Sequence, residues 1–274
     1  MRTIKKVASH IFIDGFGGMT QGLFATLIIG TMIQQIGLLI GGSTGNVIYL
    51  LGKAAAALTS AGIGVGVAVK YGESPLVTVS AAVAAMVGGY AGKITGGTFF
   101  VDGNAVLAGP GEPLGAFIAA FAGITCGHLV SGKTKVDIIV TPVITIGAGS
   151  VVGLLVGPPI SQMMTGLGSI INWATEQRPF IMGIVVSVVM GMVLTLPISS
   201  AALGIILNLS GLAAGAATIG CCCNMVGFAV ASYRENKFGG LVAQGLGTSM
   251  LQVPNIMRHP LIWPVSYTHL TLPT

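Results

Sequence analysis

Long apolar runs separated by short polar segments make up most of the chain. A helix needs about 20 residues to cross the hydrocarbon core of a bilayer. Runs of about this length predict membrane spans at residues 19–40, 47–69, 76–92, 114–130, 136–156, 179–196 and 211–233. The pattern therefore predicts an all-α, polytopic membrane fold.

Two segments predict interrupted helices. Residues 157–172 and 195–211 each contain Pro-Ile-Ser near the start and then run to an asparagine, Asn172 or Asn208. Ser161 in the first segment, and Ser199 or Ser200 in the second, are suitable N-caps after a proline. We interpret both as short re-entrant or broken helices, the arrangement from which transporters build substrate sites. The run 198–209 is too short to cross.

Small residues recur four apart in several runs and predict the faces on which helices pack together. The stripes and pairs are Gly149/Gly153/Gly157, Gly183/Ser187/Gly191, Gly62/Gly66, Gly123/Gly127 and Gly211/Gly215.

The composition excludes a soluble domain. Only 7% of the 274 residues are charged, 53% are hydrophobic and 43 are glycine, whereas a soluble domain has about a quarter of its residues charged. The net charge of +5 therefore indicates membrane topology, and we expect no nucleic-acid partner.

Basic clusters predict the orientation. Arg2, Lys5 and Lys6 precede the first run, Lys133 and Lys135 follow the fourth, and Arg234 and Lys237 follow the last. All three clusters lie on one side of the membrane if the segment 198–209 enters the bilayer and returns to the same side without crossing. Lysine and arginine mark the cytoplasmic side, so we expect a cytoplasmic N-terminus.

A glycine-rich polar segment, "TFFVDGNAVLAGPGEPLG", carries the main candidate binding residues. Asp102 and Asn104 precede Glu112, and a carboxylate at membrane depth usually faces a cavity or a partner. One hypothesis is a lining loop whose carboxylate accepts hydrogen bonds from sugar hydroxyls. The alternative is a solvated external loop, with Glu112 and Pro113 starting the next helix.

Other polar residues leave two interpretations open. His128, near the end of the fourth run, is an interfacial histidine or a substrate ligand. "SYRENKFGG" predicts a solvated loop or a docking segment for a soluble partner. We interpret three polar residues of an apolar segment, Gln244, Gln252 and Asn255, either as lining a substrate path or as forming hydrogen bonds between helices.

No catalytic motif, metal-ligand cluster or nucleotide-binding motif occurs in the sequence, so we expect no cofactor, no metal and no catalytic residue within the chain. The four cysteines are Cys126 and the run Cys221–Cys223, which lies in an apolar stretch and lacks zinc-site spacing.

The last ten residues, "VSYTHLTLPT", differ in composition from the rest and resemble the translation of a transposon-type sequencing adapter. We interpret 265–274 as read-through and 1–264 as a transmembrane domain that is incomplete at its C-terminus.

Several long phrases closely resemble one bacterial family. They include "SGKTKVDIIVTPVITI", "VGLLVGPPI", "INWATEQRPFIMGIVVSVVMGMVLTLPISSAAL" and "SGLAAGAATIGCCCNMVGFAV". The family comprises the EIIC membrane components of the phosphotransferase system (PTS), whose members are also described as toxin regulators of the PfoR type.

This resemblance implies a multi-pass sugar permease in the bacterial cytoplasmic membrane. Related proteins are homodimers that hold the sugar with a membrane-embedded glutamate on a loop, a role for which Glu112 is the candidate. A partner EIIB, supplied with phosphate through HPr and EIIA, would phosphorylate the sugar. The alternatives are a membrane sensor of the PfoR type and a phosphorylation-independent transporter.

Overall fold

Apolar helices form nearly all of the described structure. The computed structural model describes residues 14–107, 109–195 and 211–263. In chain order the helices are α1 (Phe16–Ile40, with a π-helical turn at Phe24–Ile28), α2 (Gly42–Ala57), α3 (Thr59–Lys70), α4 (Pro75–Gly89), α5 (Ala91–Thr95), α6 (Pro113–Val130), α7 (Asp137–Gln177), α8 (Pro179–Thr195), α9 (Gly211–Ala231), α10 (Tyr233–Val242) and α11 (Val253–Arg258). The tail 265–274 lies outside these residues.

Four of the described helices are long and apolar enough to cross a membrane. These spans are Phe16–Ile40, Pro113–Val130, Asp137–Met163 and Leu212–Ala231. A fifth is possible if α2 and α3, bent by 53° at Leu58, form one broken span. The polytopic all-α fold with a broken helix is thus confirmed, although the bend divides the run that we predicted as a single span, 47–69.

A glycine turn folds α1 back against α2 and α3. Gly41 and Gly42 both have positive φ, 66° and 64°, a conformation that glycine adopts without the steric cost of a Cβ. The pairing is close: a Cβ built on Gly18 would lie 2.6 Å from the carbonyl oxygen of Gly66. The predicted packing face at Gly62/Gly66 is therefore confirmed.

The π-helical turn of α1 lies beside the break between α2 and α3. A Cβ on Gly62 would lie 2.6 Å from the methyl group of Thr26, within the π turn. On the other side of the break, a Cβ on Gly30 would lie 2.8 Å from the backbone nitrogen of Ala56. Both arms of the hairpin thus depart from regular α-helix at the same level, around Leu58.

Small residues bring α4, α6 and α7 together. A Cβ on Gly149 would lie 2.6 Å from that of Ala84 in α4. A Cβ on Gly153 would lie 2.8 Å from the Cα of Gly88, and one on Gly157 would lie 2.5 Å from the Cβ of Ala91. The predicted stripe on α7 is confirmed, and it allows backbones to approach where larger residues would hold them apart.

The helix α7 continues through the predicted break at residues 157–172. It runs unbroken over 41 residues with Pro158 and Pro159 inside it, so the expectation that a short helix starts at Ser161 is wrong. Proline ends most soluble helices because it lacks an N–H. Transmembrane helices tolerate it where neighbouring groups satisfy the freed carbonyls. The second predicted break falls largely in 196–210, outside the described residues.

The chain divides into two compact units, Met1–Ser161 and Gln162–Thr274. In the first, fully buried side chains such as Met19, Ile63 and Val77 form the core. In the second, α8 packs on α9 through Val186, Met190 and Ala217.

The small residues of the second unit pack only in part. A Cβ on Gly220 would clash with the backbone of Ser187, whereas Gly183 and Gly215 have open space beside them. The segment predicted as a solvated loop, "SYRENKFGG", instead begins the short helix α10. That helix buries no residue and is kinked at Lys237, where φ is 53°.

Candidate functional site

The segment between α5 and α6 is irregular, as the sequence predicts. In the described part of this segment, residues 96–107 and 109–112, the regular elements are the two-residue strands β1 (Phe100–Val101) and β2 (Asn104–Ala105). Four glycines in this segment have positive φ: Gly97, Gly103, Gly109 and Gly111. We call residues 106–112 the Glu112 loop.

Asp102 and Asn104 lie at the tip of the β1–β2 hairpin. Asp102 and Gly103 form the two-residue turn, with φ of 49° and 77°, and Asp-Gly suits a turn that needs positive φ at both positions. The Asn104 side-chain amide donates to the Asp102 carbonyl at 3.3 Å. Both side chains are exposed, so their observed role is to form the turn.

Glu112 is the N-cap of α6. The Leu114 backbone N–H donates to Glu112 Oε1 at 3.5 Å, and Pro113 follows at the first helical position. The helix-starting interpretation is therefore correct for the local geometry. A bond of that length is weak, and a carboxylate has about four acceptor positions, so capping leaves Glu112 able to accept other hydrogen bonds. Burial raises the pKa of Glu112, and the bond from Leu114 opposes that shift.

The Glu112 loop is bonded to the helix ends around the break at Leu58. The Glu112 backbone N–H donates to the carbonyl of Gly89, the last residue of α4, at 2.7 Å. The hydroxyl of Ser60, in the first turn of α3, donates to the Pro110 carbonyl at 3.0 Å. The start of α6, the end of α4 and the break thus meet at the Glu112 loop.

This meeting point lies partway along the first helical hairpin. The π turn Phe24–Ile28 of α1 lies at the level of Leu58, and the regular segment Ile29–Ile40 continues beyond it. Twelve helical residues extend about 18 Å. Within the first unit, Glu112 is therefore not at an outer end, because the α1–α2 hairpin extends past it.

His128 lies at the other end of α6. Sixteen residues separate it from Glu112 in sequence, and at a helical rise that is about 24 Å. His128 Nδ1 contacts Glu73 Oε1 at 3.0 Å, with the histidine side chain 71% exposed. One small ligand cannot reach both His128 and Glu112, so the structure separates these two candidate residues.

The end of the first unit that carries His128 also holds the start of α1. A Cβ on Gly15 would lie 2.6 Å from the Tyr71 hydroxyl, and Ser74 Oγ is 2.9 Å from Ser131 Oγ. Lys133 and Lys135 follow directly in the chain. Lys133 and Lys135 therefore follow a helix that ends where α1 starts, whereas Arg2, Lys5 and Lys6 of the first basic cluster lie outside the described residues.

Sequence reasoning missed Ser60 and Tyr90, which anchor the Glu112 loop. Ser60 lies in the apolar run 47–69, and Tyr90 lies in the run 76–92. Each stands at the end of a helix in the structure, where its hydroxyl reaches a loop carbonyl. The sequence signal for this role is a hydroxyl within an apolar run, and no helix end is predicted beside Ser60.

The amides of the second unit bond to one another. The Asn255 side chain donates to Gln252 at 2.8 Å, Gln252 donates to Gln244 at 2.9 Å, and Gln244 donates to the Ser232 hydroxyl at 2.9 Å. Gln244 and Gln252 are buried. Of the two interpretations of these residues, bonding between helical segments is the one that the structure favours.

Comparison with known proteins gives one family. The family described as "Phosphotransferase system, EIIC" matches residues 13–268. A search of curated proteins and a search of solved structures each found no match.

Proposed function

The chain belongs to the phosphotransferase system EIIC family, and from this premise we propose that it binds a sugar at Glu112 for phosphorylation by a partner EIIB. The family and the apolar helices make it a multi-pass membrane component of a sugar phosphotransferase system. The sugar site, the partner and the coupling to phosphorylation belong to the proposal.

The position of the Glu112 loop relative to the α1–α2 hairpin carries the proposal. Beyond the level of the loop, the hairpin exposes large apolar side chains: Ile36 is 50% exposed, Leu39 is 86% and Leu51 is 62%. Exposing such side chains to water is unfavourable, whereas in lipid it costs nothing. The bilayer therefore extends past the loop, and irregular backbone at that depth is tolerated where it lines a cavity.

The proposed mechanism uses Glu112 to hold the sugar and EIIB to transform it. The Glu112 carboxylate accepts hydrogen bonds from sugar hydroxyls. These hydrogen bonds are strong because the carboxylate is an ionised acceptor. After the site opens to the cytoplasm, the phosphoryl group leaves a cysteine or histidine of EIIB and bonds to a sugar hydroxyl oxygen. The hydroxyl proton passes to the released EIIB side chain or to water.

The cysteines of this chain are unsuited to carrying the phosphoryl group. Cys126 lies in α6 and Cys221, Cys222 and Cys223 lie in α9, two apolar helices of spanning length. We propose that the phosphoryl group comes from EIIB at the end of the first unit that carries Lys133 and Lys135. That end is cytoplasmic under the positive-inside rule. A bacterial cytoplasmic membrane location and a homodimer complete the proposal.

Uptake of labelled sugars tests this function. The chain is expressed in a bacterial host that lacks its own sugar permeases, with and without EIIB and the upstream proteins EIIA and HPr. Glu112→Gln is compared with Glu73→Gln. This matched control neutralises a glutamate that contacts His128, at the end of α6 far from Glu112. We expect sugar phosphate to accumulate only with EIIB, to be lost in Glu112→Gln and to persist in Glu73→Gln.

The other outcomes identify the alternatives. Accumulation that survives Glu112→Gln would remove Glu112 from the site. Uptake of unmodified sugar without EIIB would indicate a phosphorylation-independent transporter. A folded, membrane-inserted protein that takes up no sugar would favour the PfoR-type sensor.

A further inference from the structure

We propose that Tyr90 and Ser60 are positioning residues that clamp the Glu112 loop to the helix break at Leu58. They act on the loop carbonyls of Gly109 and Pro110 and do not contact a substrate themselves. The clamp is a property of the chain, and only its effect on sugar binding rests on the proposed function.

Tyr90 joins the loop to the end of α2. Its ring is 1% exposed and packs against Phe99 at a centroid distance of 5.3 Å, beneath the Lys93 ammonium. Its hydroxyl donates to the Gly109 carbonyl and also lies 3.3 Å from the carbonyl of Ala57, in the last turn of α2. One hydroxyl thus bridges a loop carbonyl and a carbonyl at the break.

The Tyr90 hydroxyl has a single proton for these two acceptors. It donates fully to one carbonyl at a time, so a strong bond to the loop weakens its bond to α2. Displacement of the loop would free the proton for Ala57. Tyr90 is therefore suited to link the position of the loop with the geometry of the break.

Ser60 holds the next loop residue from the opposite side of the break. It is fully buried and donates to the Pro110 carbonyl at 3.0 Å. The space around it is tight, because a Cβ on Gly111 would lie 2.5 Å from Ser60 Oγ. Glu112 follows with its own backbone bond to Gly89.

Three of the four residues from Gly109 to Glu112 are thereby fixed, from the end of α4 and from the start of α3. Gly109 is held from the end of α4, Pro110 from the start of α3, and Glu112 from the carbonyl that ends α4. A side chain on a loop is poorly positioned unless such secondary contacts hold it. The clamp supplies these contacts for the Glu112 carboxylate.

A spin label on the loop tests the clamp without a substrate. The four native cysteines are replaced by serine, and Leu107→Cys, an exposed loop position, is labelled with a nitroxide. Tyr90→Phe and Ser60→Ala each remove one oxygen atom and keep the remaining side chain. Tyr71→Phe and Ser80→Ala are the matched controls, because they remove hydroxyls from Tyr71, at the far end of α3, and from Ser80, inside α4.

We expect the label to become more mobile in Tyr90→Phe and in Ser60→Ala, and to keep its parent spectrum in both controls. Helical circular dichroism and a single elution peak establish that each variant is folded, and either clamp variant alone decides the question. A parent-like label spectrum in a folded Tyr90→Phe or Ser60→Ala would overturn the clamp.

Transport kinetics separate the clamp from the proposed function. If sugar binds at Glu112, each clamp variant should raise KM about fivefold, the ratio expected for one neutral hydrogen bond, and change kcat by less than about twofold. Increased mobility without any sugar uptake in the parent chain would retain the clamp and refute the sugar site. Unchanged mobility with normal, Glu112-dependent uptake would retain the site and refute the clamp.

Discussion

Substituting alanine for a glycine of α7 should lower or raise the stability of the protein according to the space beside that glycine. Gly153 faces the Cα of Gly88 and the Cβ of Ala119, so that an added Cβ would lie 2.8 Å from the first and 2.9 Å from the second. Gly147 lies on the same helix and has no atom within 4 Å of an added Cβ. The same substitution to alanine should therefore have opposite effects at the two positions.

The magnitude follows from the distances. Carbon atoms in favourable contact are about 3.5–4.0 Å apart, so the methyl group of Gly153→Ala would force α7 away from α4 and α6 by about 0.7 Å. A gap of that size forfeits about a quarter to a half of the attraction across the contact. Overpacking of this kind costs about 1–3 kcal/mol. At Gly147, alanine should instead stabilise the helix by about 0.5–1 kcal/mol.

Unfolding in mixed micelles measures the difference. Purified parent, Gly153→Ala and Gly147→Ala are titrated with SDS while helical circular dichroism is recorded, and the free energies of unfolding are compared. We expect Gly153→Ala to be less stable than Gly147→Ala by about 1.5–4 kcal/mol, the sum of the two effects. Equal stability of the two variants would refute the close helix contact at Gly153.

Three further predictions concern the polar groups. Because burial raises the pKa of Glu112, sugar binding, measured by isothermal titration, should weaken as pH falls through a range above that of an ordinary glutamate. The sugar-free protein should lose stability as pH rises through that range, and the free energy of unfolding of Glu112→Gln should show no such transition. Gln244→Leu leaves the buried Gln252 amide without its acceptor and should lower the free energy of unfolding in SDS by about 1–3 kcal/mol. Asp102→Asn should preserve both turn and uptake because asparagine tolerates positive φ; lost uptake would instead make the Asp102 carboxylate a ligand.

The sequence predicts four of the seven spans well because lipid imposes a simple rule on them, whereas the predicted spans 76–92 and 179–196 correspond to the shorter apolar helices Pro75–Gly89 and Phe180–Thr195. Residues 19–40 and 114–130 correspond to the helices Phe16–Ile40 and Pro113–Val130. A helix can cross a bilayer if about 20 consecutive residues are apolar, so its position in the sequence can be predicted without knowing which helices pack beside it. The glycine spacing on α7 is predictable for the same reason, since it is a property of one helix.

Helix breaks are not predictable in the same way. The two prolines at 158 and 159 suggest a break, yet α7 continues through them. No proline or adjacent glycine stands at Leu58, yet the chain bends there by 53°. The Thr59 hydroxyl donates to the Ala56 carbonyl at 2.6 Å and the Tyr90 hydroxyl reaches Ala57. Tyr90, a side chain distant in sequence, thus helps to satisfy the backbone at the break, and a local pattern cannot reveal it.

Glu112 illustrates why the two sequence interpretations of one residue need not exclude each other. Capping of α6 is a local property and follows from Glu-Pro at the start of an apolar run. Whether the same carboxylate lies within the bilayer depends on the α1–α2 hairpin, which begins almost a hundred residues earlier. The contacts of Gly62 with the π turn and of Ser60 with the loop give the level of Glu112 along that hairpin. A cap at the surface would be only a cap, whereas we propose that this cap, held at the level of a helix break, also binds the substrate.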